Sequence, residues 1–224
     1  MGRSKLDKFK DNAASDYIIQ PGKDMYELIK GNWRQMYFKN SHPLVLELAC
    51  GRGEYTIGLA RKFPDKNFVG VDIKGPRIWR GMKTAEAENL TNTGFLRGHI
   101  QNLDDYFEHD EVNEIWITFP DPRPKGRDER RRLTHPRFID MYRRILKPGG
   151  WMYLKTDNTG LFDYTLEVVQ KLKGIEQLTY THDLYNSTLL EEHHGIQTTY
   201  EKRYLVDGIK INYLKFRFST DHGH

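Results

Sequence analysis

Leu46-Glu47-Leu48-Ala49-Cys50-Gly51-Arg52-Gly53-Glu54 is an apolar run that ends in a glycine-containing turn and passes into a helical pattern. A strand entering such a turn and then a helix opens a βαβ unit. Gly51 and Gly53 allow positive φ and let the backbone approach a ligand closely. By itself Gly-x-Gly suits NAD, FAD or no ligand.

Outward from this stretch, short β-rich runs alternate with helical ones. LVLEL (44–48), NFVGVD (67–72), GFLRG (94–98), EIWITF (114–119) and WMYLKTD (151–157) are separated by segments 54–63, 75–89 and 136–146, each long enough for a helix. Thr134 stands ahead of Pro136, and Lys147-Pro148-Gly149-Gly150 closes the third of these helices. Such alternation predicts right-handed βαβ units and a parallel sheet covered on both faces. After a further helix over 161–173, QLTYTHDLY (177–185) and IKINYLKFRF (209–218) are β-rich runs joined by a long polar segment, a pair suited to an antiparallel edge. The fold expected is α/β, doubly wound, with a mostly parallel seven-stranded sheet and an antiparallel edge. Residues 41–220 form its domain. Residues 1–40 read as a basic tail and one helix, Asp24–Phe38.

The chain has 224 residues, 38% hydrophobic and 29% charged, which suits one globular domain. No apolar run approaches the ~20 residues that cross a bilayer, and the charged N-terminus lacks the apolar core of a secretory signal. Cys50 is the only cysteine, which excludes an intrachain disulfide and a multi-cysteine metal centre; no metal is expected. A cytoplasmic protein is the plain reading. The net charge of +4 names no partner, but its distribution is uneven. Seven Lys/Arg and two acids lie between Arg123 and Arg137, whereas 102–114 is acidic. The basic stretch is either a nucleic-acid footprint or a solvated charged loop.

In an open α/β sheet, ligands bind beyond the strand ends near the topological switch point. Asp72 ends the second run, where a carboxylate can accept both hydroxyls of a ribose. The third glycine of the dinucleotide fingerprint is missing, since Glu54 and Tyr55 follow Gly53. Glu47 precedes the turn; a carboxylate there repels a pyrophosphate but suits a sulfonium and an ammonium group. Its other reading is an ion pair with a cation such as Arg52. Together these features favour S-adenosyl-L-methionine, with Glu47, Gly51, Gly53 and Asp72 as its binding residues. The chain in this region resembles the class I methyltransferases. That resemblance assigns adenine contacts to the turn at His99-Ile100, where relatives often carry an acid or Asn, and it sets Ala49 where many carry Gly.

Phe119-Pro120-Asp121-Pro122-Arg123-Pro124-Lys125-Gly126-Arg127, followed by Asp128-Glu129-Arg130-Arg131-Arg132-Leu133-Thr134, leaves the fourth run. Its prolines remove donors and fix φ, so it must be a rigid loop. This loop stands where a methyltransferase holds the acceptor atom, which must lie within ~3–3.5 Å of the transferred group. The motif resembles that of the bacterial tRNA (guanine-N7-)-methyltransferase family, which carries a Pro-Asp-Pro-x-Pro-Lys-like loop and then an Arg-Arg-Leu run. The resemblance extends from about Leu44 to Phe218. Arg123 departs from it, standing where the family tends to place Trp.

The resemblance implies transfer of a methyl group to N7 of guanosine in tRNA, at position 46 of the variable loop. It implies that Lys125, Asp157, Thr198, Tyr200 and Glu201 bind the tRNA or its guanosine. N7 carries a lone pair and no proton, so its attack needs no general base, and the ring becomes cationic as the bond forms. A carboxylate on the guanine edge therefore strengthens its hold in the transition state. Asp121 is the candidate for this catalytic role, beside the cofactor; its alternative is a turn acid bonding nearby amides. Arg127, Arg130, Arg131 and Arg132 are expected to meet tRNA phosphates. The tail cations Arg3, Lys5, Lys8 and Lys10 either add contacts or have no role. No obligatory protein partner and no membrane are expected, and the chain is read as monomer or homodimer. The competing functions are a class I methyltransferase acting on a small molecule, an aminopropyltransferase, and a non-catalytic tRNA-binding protein.

Overall fold

The computed structural model describes residues 3–220. Parallel strands β2 (Leu44–Leu48), β3 (Asn67–Val71), β4 (Thr93–Leu96), β5 (Val112–Thr118) and β6 (Leu146–Thr156) alternate with helices α3 (Glu54–Lys62), α4 (Gly75–Glu88) and α5 (Pro136–Ile145). All five residues of β2 and of β3 are buried, as expected of strands covered on both faces. Helix α6 (Thr159–Lys171) leads to β7 (Ile175–Thr181), and α7 (Thr199–Val206) precedes β8 (Asn212–Phe218). Strand β8 is antiparallel to both β6 and β7. The core of Leu46, Leu48, Val69, Val71, Ile115 and Ile117 lies along the central strands.

The sheet has eight strands rather than seven, in the order β1-β4-β3-β2-β5-β6-β8-β7. The additional one is β1, Ile18–Ile19, which pairs in parallel with Phe95 and Leu96 of β4. The ammonium of Lys23 donates to the carbonyl of Ile18 at 2.8 Å. Ahead of it, α1 (Lys5–Ala14) is closed by a capping box between Ser4 and Asp7 and lies against α4. Asn12 donates to Gly75 O at 2.9 Å, and Trp79 donates to Asp11 at 2.8 Å. Residues 24–38 are not one helix: α2 spans Asp24–Leu28, Gly31 turns the chain at φ +74°, and a π-helical turn covers Trp33–Phe38. Trp33 anchors that turn, stacked on Phe107 with its indole N–H on Tyr106 O at 2.9 Å. The cap of α5 is His135, not Thr134, whose hydroxyl is buried against Thr165 at 2.7 Å. The switch point falls between β2 and β5, whose outer neighbours run in opposite directions along the sheet.

Candidate active site

The turn after β2 is built from left-handed backbone: Ala49 at φ +57°, Gly51 at +57° and Gly53 at +70°. At Gly53 a Cβ would stand 2.5 Å from the Phe95 ring, so glycine is required by packing as well as conformation. Asp72, at the end of β3, holds this turn by accepting from Gly51 N at 3.1 Å and from Lys74 N at 2.8 Å. His99 is exposed at the head of the 3-10 turn Ile100–Asp105, while Ile100 packs on the core. At His99-Ile100 the chain therefore presents backbone and an apolar side chain, with the acids of this turn, Asp104 and Asp105, at its far end.

Glu47 lies 3% exposed at the C-terminal end of β2 and is not paired with Arg52. Its carboxyl accepts from Thr118 Oγ1 on β5 at 2.6 Å, from Thr56 N at 2.8 Å, and from the Thr56 hydroxyl. Burial pushes its pKa up to about 7, against the pull of these donors. The carboxyl lines a cleft of about 140 Å³ at the switch point, with Gly51, Thr118, Phe119, Thr198 and Tyr200 on its walls. A desolvated acid opening on a cleft is the complement of a cationic ligand, so the donor set fits the sulfonium cofactor.

The Pro-rich loop continues from β5 through Phe119, whose N–H reaches Lys155 O at 2.8 Å. Phe119 and Arg123 are both left-handed, at φ +49° and +48°. Together with Ala49 they place three strained non-glycine residues in the two loops at the cleft, as functional loops often do. Asp121 is largely exposed and is held by its own turn: it accepts from Arg123 N at 3.2 Å and pairs with the Arg123 guanidinium at 3.1 Å. Residues 126–131 form a 3-10 segment with Lys125, Arg127, Arg130 and Arg131 exposed. Arg132 differs from its neighbours. Its guanidinium lies over the Tyr164 ring at 4.3 Å and donates to Arg123 O at 3.2 Å, so it braces the loop.

The third wall comes from the crossing before α7. Thr198 caps that helix in a capping box with Glu201, and both side chains are buried. Glu201 does not face the cleft. Its carboxylate is taken by Lys155 Nζ at 2.8 and 3.0 Å, by Tyr185 OH at 3.0 Å, and by Thr198 N at 3.4 Å. Burial pulls the Lys155 ammonium below its ordinary pKa, and its carboxylate partner works against that. Lys155 also lies 4.9 Å from the Tyr55 ring centroid. In the sequence Lys155 stands out only as a neighbour of Asp157; a lysine with 0% of its side chain exposed carries no mark there that separates it from a surface one. Asp157 is half-buried beside Tyr204, and burial raises its pKa. Tyr200 stays half exposed at the cleft mouth.

The chain matches, over residues 41–214, the model of a family described as putative methyltransferase. It is 53% identical to the tRNA (guanine-N(7)-)-methyltransferase of Cytophaga hutchinsonii, across 97% of this chain and 99% of that one. Identity to the enzyme of the same name from Christiangramia forsetii is 47%, across 96% and 98%. The chain belongs to the tRNA (guanine-N7-)-methyltransferase family. It is thus a methyltransferase whose methyl donor is S-adenosyl-L-methionine. Solved structures agree on the fold. The 16S rRNA methyltransferase KamB superposes with a TM-score of 0.58 at 16% identity, covering 84% of this chain and 92% of its own. An antibiotic-related methyltransferase gives 0.60 at 13%, covering 83% and 92%. Among the described residues no helix is long and apolar enough to cross a membrane, and no group of three or more His, Cys, Asp or Glu could hold a metal.

Proposed function

We propose that this chain methylates N7 of the guanosine at position 46, in the variable loop of tRNA, giving 7-methylguanosine. The carrying observation is the cleft at the switch point, where the buried Glu47 carboxyl meets the rigid Phe119 loop and the Thr198–Tyr200 crossing. Glu47, Gly51, Gly53 and Asp72 would hold the cofactor, with the His99-Ile100 turn beside its adenine. The cofactor supplies an electrophilic methyl group on a sulfonium.

Asp121 exchanges its bond to Arg123 for the N1–H and exocyclic amine of the guanine. That grip specifies guanine and leaves N7 on the opposite edge. Because positive charge grows on the ring as the bond forms, the carboxylate binds the transition state more tightly than the substrate, and no proton has to be removed. Lys125, Asp157, Thr198 and Tyr200 complete the guanosine site. Glu201 acts through Lys155 and the Thr198 cap, by fixing the wall on which Thr198 and Tyr200 stand. Arg127, Arg130 and Arg131 meet phosphates. A loop nucleotide suits such a site because it can be splayed out of its stack.

We assign the catalytic domain to residues 41–220, completed by an N-terminal segment, 1–40, whose β1 extends its sheet and whose Trp33 packs into its core; residues 1 and 2 lie outside the described ones. The enzyme acts in the cytoplasm without an obligatory protein partner, as a monomer or homodimer. The test is labelled methyl transfer to an unmodified tRNA transcript, followed by nucleoside analysis. The label should appear as 7-methylguanosine and be lost when guanosine 46 is replaced; label in any other nucleoside overturns the assignment.

A further inference from the structure

Beside the turn after β2, a pocket of about 580 Å³ opens between α3, α4 and the crossing before α7, with no residue of the Pro-rich loop in its lining. Arg52, Arg80 and Lys202 ring it. All three are exposed, and none has an ion-pair partner among the described residues. A fourth cation, Arg61, is already bound to Glu88 at 2.7 Å through Nε. The one acid of the rim, Glu54, spends its carboxylate on Thr199 N and Oγ1, both at 2.6 Å. The pocket wall is tightly built: a Cβ on Gly58 of α3 would meet Ile196 at 2.5 Å, so the crossing lies directly on the helix.

Three unpaired cations converging on one concavity select an anion. The sulfonium and ammonium groups of the cofactor gain nothing from them, and its single carboxylate accounts for at most one of the three. The pocket shares Arg52, Glu54 and Thr199 with the acceptor cleft, so the two are continuous, and it shares no residue with the loop at 120–132. Its volume exceeds a lone phosphate and is of the order of a small-ligand site. We propose that this pocket seats the phosphodiester and sugar next to the target guanosine, so that the tRNA is held from both flanks of the cleft. The inference rests on tRNA being the substrate.

The test is the tRNA Kd of the full chain as a function of KCl concentration, for wild type, Arg80→Ala, Lys202→Ala and their double variant. S-adenosylmethionine affinity is measured in parallel by calorimetry. Each lost phosphate contact should flatten the log–log salt slope by roughly 0.7–0.9, and the double variant should bind about tenfold or more weakly at physiological salt. Arg80→Lys with Lys202→Arg should restore the wild-type slope, and cofactor affinity should be unchanged throughout. An unaltered slope in the double variant, or a loss confined to cofactor binding, overturns the pocket's role. So does AMP binding that Arg80→Ala weakens while tRNA binding stays intact, which assigns the pocket to a free nucleotide. Wild-type formation of 7-methylguanosine is scored separately: its presence with an unaltered slope removes only this inference, and its absence removes the substrate reading beneath it.

Discussion

Thr118, the last residue of β5, donates its hydroxyl to the Glu47 carboxyl on the adjacent strand at 2.6 Å, closing the switch point of the sheet from within. The bond is between neighbours in space that lie 71 residues apart in sequence. It holds an acid that burial makes reluctant to ionise.

Titration of Glu47 should therefore be visible in stability. Its pKa is pushed up to about 7 from an ordinary 4.5, so the native chain carries an extra proton between those values. This contribution is fully present below the unfolded value and is lost as pH rises through the folded one, by about 3 kcal/mol in all. Denaturant unfolding from pH 4.5 to 8 should show that fall in wild type and not in Glu47→Gln. A cationic ligand favours the ionised acid, so binding S-adenosylmethionine near pH 6.5 should release a proton. Calorimetry in buffers of different ionisation enthalpy reads this directly; an enthalpy independent of buffer would sink it.

The buried pair of Lys155 and Glu201 should be costly to break from either side. Removing one partner leaves a charge with 0% exposure unpaired, and a loss of roughly 3–5 kcal/mol is expected for Lys155→Met or Glu201→Leu alone. The double variant should recover much of this, because two apolar groups leave no orphan charge. A double-mutant cycle in urea measures the coupling. Single variants losing less than about 1 kcal/mol would show that the pair does not fasten the wall.

Asp121 and Arg123 should separate in their effects. Both ends of their ion pair are substantially exposed, so it is worth at most about 1 kcal/mol and opens readily. Arg123→Ala should leave the single-turnover rate within about fivefold, whereas Asp121→Asn should lower it about a hundredfold or more. Equal losses in the two variants would contradict this division of roles, and full activity in Asp121→Asn would remove the carboxylate from catalysis.

Ala49 is held at φ +57°, a region that L-residues occupy at a cost of roughly 1–2 kcal/mol. Ala49→Gly should relieve it and, after the added freedom of the unfolded chain, stabilise by about 0.5–1 kcal/mol. A shift of the urea midpoint to lower concentration would refute the strain.

Within the arginine run, effects should divide by contact rather than by charge. Arg127→Ala and Arg130→Ala should flatten the salt dependence of tRNA binding by roughly 0.7–0.9 each. Arg132→Ala loses its stack on Tyr164 and its bond to Arg123 O, and should instead lower the melting temperature by a few degrees. Identical salt slopes for all three would collapse the distinction.

The parts of this architecture that repeat are legible from residues alone. LVLEL is β2 to the residue, and the helices over 54–62, 75–88 and 136–145 fall within one residue of where periodicity and punctuation place them. What escapes has physical causes. A two-residue strand such as Ile18–Ile19 carries no alternation to detect. Apolar residues over 24–38 suggest one helix, yet Gly31 takes positive φ and divides it. Thr198-x-x-Glu201 has the spacing of a capping box, and attending only to its substrate chemistry hides the helix that it starts. In the candidate site, the positive-φ glycines of the turn after β2 and the acids at the ends of β2 and β3 follow from local spacing. The Lys155–Glu201 pair and the Thr118–Glu47 bond do not, because only the closed sheet brings their partners together.

The Lys23 ammonium on the Ile18 carbonyl has a consequence for how copies of this chain behave in a crowded solution. Strand β1 is the outermost of the sheet on its side, and the carbonyls before and after Ile18 O, those of Tyr17 and Ile19, already accept from Phe95 N and Arg97 N. Ile18 O is the acceptor that a passing strand would seek, and a charged side chain occupies it. A rung only two residues long, plugged by a lysine, gives a foreign strand nothing to zip onto, so the widest sheet this fold can build is guarded against aggregation at that border.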